Sequence, residues 1–179
     1  MQFDLSGKSA LVTGSSRGIG RAIAENLYAN GCRVALNSRN ERDLAEAVSN
    51  MDRAIGIVGD VTKPSEAQKI ISDVLKAFGC IDILVCNVGN GSSVRPGEEK
   101  FEDWQDVFAI NLWSATNIVE AAKEALTLSK GDIVCISSIC GVEVIPEAPV
   151  TYSAAKAALN AYVRGISRPL GKLGIRINA

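Results

Sequence analysis

Tyr152 and Lys156 stand four residues apart in Thr-Tyr-Ser-Ala-Ala-Lys-Ala-Ala-Leu, a run of strong helix formers. In a helix that spacing puts a phenol and an ammonium on one face. A phenol titrating at about 10 is a poor proton carrier at neutral pH, and a cation held beside it favours the phenolate. On the pair alone, an amphipathic helix carrying a solvated lysine is the plainer account. Histidine is absent from the 179 residues, which excludes a Ser-His-Asp hydrolase and leaves phenol, lysine, carboxylate and thiol as proton carriers. A tyrosine base fits that inventory.

A second chemical feature lies near the N-terminus. Leu11-Val12-Thr13-Gly14-Ser15-Ser16-Arg17-Gly18-Ile19-Gly20 reads as a strand ending in a glycine-punctuated turn that opens a helix. Strand, glycine turn and helix make a dinucleotide phosphate site. Gly14 permits a sharp exit from the strand, Gly18 lets the backbone approach a pyrophosphate, and Gly20 lets the helix pack closely on the sheet. A structural turn would use similar glycines. The context decides for a βαβ nucleotide unit, since a second strand, Arg33-Val34-Ala35-Leu36-Asn37, follows the helix.

Asn87-Val88-Gly89 after an apolar strand, Asn111 in a helix, Ser138 after another strand, and Tyr152-x-x-x-Lys156 follow that turn. This is the order and approximate spacing of the short-chain dehydrogenase/reductase family, which the sequence resembles over its entire length. The resemblance implies a nicotinamide-dependent oxidoreductase acting on a carbonyl or alcohol, with β-ketoacyl-acyl-carrier-protein reductases and sugar or polyol dehydrogenases as possible kinds. It implies that Tyr152 is the acid–base residue, Lys156 favours the phenolate and holds the ribose, Ser138 orients the carbonyl, and Asn111 helps hold a proton-relay water. Cofactor contacts are expected from Gly14, Ser16, Arg17, Gly18, Ile19 and Gly20 in the first turn. Further contacts are expected from Ser38 and Arg39, from Asp60 and Val61, from Asn87 and Gly89, and from Tyr152 and Lys156 themselves. Asp60 would bond the adenine amine, a helix or turn cap being the alternative.

These assignments also suit the chemistry. In carbonyl reduction negative charge grows on oxygen, so a hydroxyl donor and a proton donor must converge there, and Ser138 and Tyr152 are suitable types. Ser137 or Ser138 could equally be a strand-end hydroxyl satisfying backbone; Gly141, in the Ser-x-x-Gly pattern of the family, selects Ser138. Asn111 is mildly unfavourable for helix, and a buried amide bonding a neighbouring carbonyl is its alternative role. Asn87 reads as a tie between adjacent strands, and Val88 replaces the family's usual alanine.

The end of the second strand bears on cofactor type. NAD-selective sites place a carboxylate there, whereas this chain reads Asn37-Ser38-Arg39. Arg39 suits a 2′-phosphate, and Arg17 could form the other side of a guanidinium clamp. NADP(H) is therefore favoured over NAD(H).

The elements that must position these groups alternate. Strands are expected near 9–13, 33–37, 54–58, 81–87, 131–137 and 174–178, and helices near 19–30, 41–50, 65–78, 101–128 and 152–172. Alternation of this kind gives an α/β, doubly wound Rossmann fold with a parallel sheet covered on both faces. At 47% apolar content, residues 1–179 form one dinucleotide-binding domain, and a net charge of −1 leaves no nucleic-acid footprint. Family members continue beyond the position of Ala179, so the fold is expected to be C-terminally incomplete; the alternative function is a nucleotide-binding or assembly module with little turnover.

No apolar run suits a membrane span, and Met1-Gln2-Phe3-Asp4 lacks a signal peptide's basic start, so a cytoplasmic protein is the default expectation. The five cysteines show no C-x-x-C pair and read as small buried hydrophobes, not a metal site or a disulfide set. By the resemblance, helices 101–128 and 152–172 form a four-helix bundle with a two-fold partner, giving a homodimer or homotetramer. Trp104, Phe108, Leu112, Trp113, Leu159, Tyr162, Val163 and Ile166 are the apolar residues that would supply it.

Overall fold

A computed structural model of the chain describes residues 4–179. Residues 1–3, on which the reading of the N-terminus partly rests, lie outside them. The six strands are β1 (Ser9–Val12), β2 (Arg33–Ser38), β3 (Ala54–Val58), β4 (Ile83–Cys86), β5 (Asp132–Cys135) and β6 (Arg176–Asn178). They form one sheet in the order β3-β2-β1-β4-β5-β6, and every pairing is parallel.

The alternation of side chains along β1 shows how the sheet is covered. Leu11 joins a core with Ile70 and Val74 of helix α3 (Pro64–Phe78), Ile118 and Leu126 of α5 (Ser114–Ser129), and Leu159 and Val163 of α6 (Val150–Gly171). Ala10 and Val12 point the other way, into a core with Ala24 of α1 (Gly18–Ala29) and Leu44 and Ala47 of α2 (Glu41–Val48). Two-sided burial explains why β1, β2 and β4 read as near-continuous apolar runs, while β3 and β6 at the sheet's edges are partly exposed. Local signals set the helix ends: Asn40 caps α2 by accepting the Asp43 N–H, Pro64 opens α3, and Gly79 closes α3 at φ 78°.

The expected helix 101–128 is interrupted. It consists of α4 (Phe101–Phe108), a π-helical turn over Ala109–Trp113, and α5. Within that turn the Asn111 amide donates to the Val107 carbonyl at 3.0 Å, and just beyond it Ser114 Oγ donates to the Ile110 carbonyl at 2.6 Å. Side chains thus take carbonyls that a regular helix would give to backbone N–H groups.

α6 begins at Val150, two residues before the expected start, with Pro149 as its extended N-cap. Of the apolar residues assigned to a bundle, Leu159 and Val163 are buried in the chain's own core, and Leu112, Tyr162 and Ile166 pack against it. Trp113 remains 44% exposed. No helix among the described residues is long and apolar enough to cross a membrane.

Candidate active site

β1, β2 and β3 are laid down toward one edge of the sheet and β4 returns to the other side of β1, so the order of strand addition reverses between β1 and β4. The carboxyl ends of strands at such a switch leave a crevice. Here it is a cavity of about 350 Å³. Gly14, Ser16 and Arg17 border it from the β1–α1 loop, and Ser38 and Arg39 from the end of β2. Asp60 and Val61 border it after β3, and Asn87 and Gly89 after β4. Gly18, Ile19 and Gly20 form the first turn of α1, where Ile19 is 65% exposed and Gly20 is buried.

Gly14 has φ +61°, a left-handed backbone that a side chain would strain. Gly20 is required for a different reason: a Cβ there would overlap the Asn87 Nδ2 and lie 2.6 Å from the Gly14 carbonyl oxygen. Asn87 uses that space to donate to the carbonyls of Thr13 and Gly14, both at 3.0 Å, while its N–H donates to Thr13 Oγ1 at 3.0 Å. The strand tie expected of Asn87 is what the structure contains. The N-terminus of α1 has no side-chain cap and no acid in its first turn, which leaves its amides and dipole directed toward the cavity's loop.

On the β2–β3 side, Ser16 Oγ donates to Ser38 Oγ at 3.1 Å, and the amide of buried Asn37 donates to the carbonyls of Ile57 and Gly59. Those bonds hold the turn that carries Asp60. One oxygen of Asp60 accepts from Thr62 N–H and Oγ1, at 3.0 and 2.8 Å, so the turn-cap role is realised; the other lies 3.9 Å from Arg39 Nη1. Burial pushes the Asp60 carboxyl up, but the Thr62 bonds, with Arg39 and Lys63 nearby, hold it below the usual carboxylate range.

Lys156, Asn111 and Tyr152 gather beyond Gly89. Lys156 is 3% exposed; its Nζ donates to the Ile136 carbonyl at 2.9 Å and sits 5.8 Å from the centre of the Tyr152 ring. Burial pulls the Lys156 ammonium down from its usual value, with the neighbouring Cys135 thiol opposing. A Cβ on Gly89 would lie 3.1 Å from both Lys156 Nζ and Asn111 Oδ1, and one on Gly91 3.8 Å from the Tyr152 ring. Both glycines therefore let the post-β4 segment run close to Lys156, Asn111 and Tyr152.

Asn111 fixes that segment reciprocally: its amide donates to the Asn90 carbonyl at 3.0 Å and its Oδ1 accepts the Asn90 N–H at 2.9 Å. Thr151 Oγ1 donates to Ser93 Oγ at 2.9 Å, tying the same segment to α6. Ser138 leaves β5 ahead of a 3-10 turn (Ile139–Gly141) and accepts the Cys140 N–H at 3.2 Å, which leaves its own hydroxyl hydrogen to donate. Ser137 instead donates to Asn160 Oδ1 at 2.6 Å, which commits its hydroxyl hydrogen within the chain.

Sequence reasoning passed over Thr13, Ser15, Asn37, Asn90 and Asn160, which hold the loops in place. Asn37 alone carried a visible signal, a polar residue inside an apolar strand.

A doubly wound parallel sheet with a glycine turn at its switch point and a Tyr-Lys helix beside it defines a dehydrogenase/reductase, and residues 8–179 match the short chain dehydrogenase family. The chain belongs to that family of oxidoreductases. It is 36% identical over 178 residues to the 3-oxoacyl-[acyl-carrier-protein] reductase FabG of Staphylococcus epidermidis, covering 96% of this chain and 72% of that protein. It is 33% identical over 184 residues to the glucose 1-dehydrogenase of Gluconobacter oxydans, covering 97% of this chain and 67% of the relative. The Pseudomonas aeruginosa RhlG/NADP active-site complex superposes with a TM-score of 0.91 at 27% identity, over 97% of this chain and 71% of that one.

Proposed function

We propose that this chain is an NADP(H)-dependent oxidoreductase that interconverts a carbonyl and an alcohol, with Tyr152 as general acid and base. The observation that carries this reading is the buried Lys156 ammonium held 5.8 Å from the Tyr152 ring, one helical turn along α6. A cation fixed in a poorly solvated site stabilises a phenolate more than a solvated one would.

The cradle suits a dinucleotide phosphate. The uncapped α1 N-terminus, Arg17 and Arg39 would hold the phosphates, Asp60 and Val61 the adenine end, and Tyr152 with Lys156 the ribose next to the nicotinamide. The choice of NADP(H) is supported by β2 ending in Asn37-Ser38-Arg39, with an exposed guanidinium and no carboxylate, and by the NADP in the RhlG complex. When bound, the nicotinamide supplies or accepts the hydride.

The chain's own part is electrostatic and acid–base. In reduction, Ser138 O–H donates to the carbonyl oxygen as negative charge builds there, and Tyr152 O–H delivers the proton. Lys156 steadies the phenolate left behind, and Asn111 holds the segment over the site and a relay water beside it. In oxidation the same groups run in reverse. The reductase and dehydrogenase relatives support a small carbonyl or alcohol as substrate. No observation favours a module without turnover.

The test is NADPH consumption against a carbonyl panel. Tyr152→Phe keeps the ring's packing but carries no proton, so turnover is expected to vanish while NADPH affinity stays within a few fold. Retention of more than about a tenth of kcat would sink the assignment, since a positioned proton donor contributes roughly 10²- to 10⁴-fold.

A further inference from the structure

Tyr152, Lys156 and Asn160 recur every fourth residue and so form one stripe along α6. The first two carry the proposed chemistry. Asn160 has both ends of its amide committed elsewhere: Oδ1 accepts the Ser137 O–H at 2.6 Å, and Nδ2 donates to the Gly141 carbonyl at 3.2 Å. Those partners flank Ser138. The same segment is held one turn earlier, where Lys156 Nζ donates to the Ile136 carbonyl at 2.9 Å. At Gly141 the fit is close, because a Cβ there would come within 2.7 Å of the Lys156 carbonyl carbon and 2.9 Å of Asn160 Nδ2.

We infer that Asn160 is a positioning residue for the reaction: it clamps the Ser138 turn from both sides onto the helix that carries Tyr152 and Lys156. The inference rests on the carbonyl–alcohol reading above. Ser138 and Tyr152 stand on different elements, and their hydroxyls must converge on one oxygen to act together. β5 delivers Ser138 only to the end of a strand; within the turn, Ser138 itself bonds Cys140 N–H, which sets the turn's shape and not its place on α6. Its place is set by the Lys156 and Asn160 bonds. Since Lys156 also serves the phenolate, Asn160 is the part of the clamp free to do nothing else.

The experiment compares Asn160→Leu, similar in size but without hydrogen-bonding atoms, with Ser137→Ala, which removes one of the two bonds. A displacement of about 1 Å at a reacting group can cost on the order of 10²-fold in rate. Asn160→Leu is expected to lower kcat at least about tenfold, with NADPH affinity within about twofold, because the cofactor loops hang from other strands. Ser137→Ala is expected to fall between Asn160→Leu and the unmodified chain, and the double variant to match Asn160→Leu. Amide exchange at Cys140 and Val142, whose N–H groups bond Ser138 Oγ and the Ile139 carbonyl, should quicken in Asn160→Leu while exchange in β1 and β4 does not. Should Asn160→Leu fail to fold, Ser137→Ala carries both readouts.

Unchanged kcat, or a loss that follows only the folded fraction, overturns the inference. So does unchanged exchange at Cys140 and Val142, whatever the activity. Absence of carbonyl turnover in the unmodified chain would instead overturn the functional reading, and the exchange measurement would still decide the clamp.

Discussion

Arg39 is 72% exposed and its nearest partner, Asp60, is 3.9 Å away, a separation at which an exposed ion pair is worth about 0–1 kcal/mol. A phosphate offering two oxygens to the guanidinium competes easily with that. NADPH is therefore expected to bind at least tenfold more tightly than NADH, about 1.4 kcal/mol, and Arg39→Asp to invert the order. Titration of cofactor fluorescence reads both constants; tighter NADH binding by the unmodified chain would refute the clamp. At the opposite end of the strands, Asp82 accepts from Lys8 Nζ and Ser9 N–H, both at 2.9 Å. Burial raises the Asp82 carboxyl, but these bonds more than offset it and hold the group below 3.8. A depressed folded value means that stability is present above 3.8 and lost as pH falls through the folded value. Asp82→Asn is expected to lower the urea midpoint at pH 6, with the gap from the unmodified chain closing toward pH 3. A gap that stays constant with pH would show that the charge plays no part.

At the scale of elements, two glycines in helices should respond oppositely to one methyl group. Gly20→Ala drives Cβ into the Asn87 amide and should cost about 1–3 kcal/mol with weakened cofactor binding, whereas Gly165→Ala in α6 meets nothing within 4 Å and should stabilise by up to about 1 kcal/mol. Urea unfolding of the two variants checks the contrast, and equal effects would contradict it. The strands and helices themselves were legible, because two-sided burial of β1, β2 and β4 writes apolar runs that alternate with helical patterns. The π-helical turn at Ala109–Trp113 was not, since one widened turn leaves the apolar spacing on either side intact. Its cause, a side-chain amide taking a carbonyl, is a matter of geometry and not composition. Asn160 escaped for a related reason: its partner Ser137 lies 23 residues away, and only the packing of α6 on the turn after β5 brings them together. Tyr152, Lys156 and the glycine turn were readable because their spacing within one element is itself the signal.

For the whole molecule, the apolar residues on α4 to α6 overstated the surface left for a partner. Leu159 and Val163 belong to the interior, while Phe101 and Trp113 remain 70% and 44% exposed. Self-association through this face is expected at micromolar concentration, and Trp113→Glu should shift it toward monomer, because burying a carboxylate unpaired is costly. Light scattering that found only monomer for the unmodified chain would remove the interface.

The seam between β1 and β4 gives the molecule a division of labour. Cavity-bordering groups from Gly14 to Val61 hang from the strands on one side of it, and Asn111, Ser138, Tyr152 and Lys156 come from the chain beyond it. The two sides are joined by the β1–β4 ladder, by Thr13 with Asn87 at one end of it and Asp82 with Lys8 and Ser9 at the other, and by Asn117, whose amide donates to the Val61 and Thr62 carbonyls. None of those joints involves Ser38 or Arg39, so on the proposed reading a change of coenzyme can be written into the β2 end without rewriting the proton chemistry.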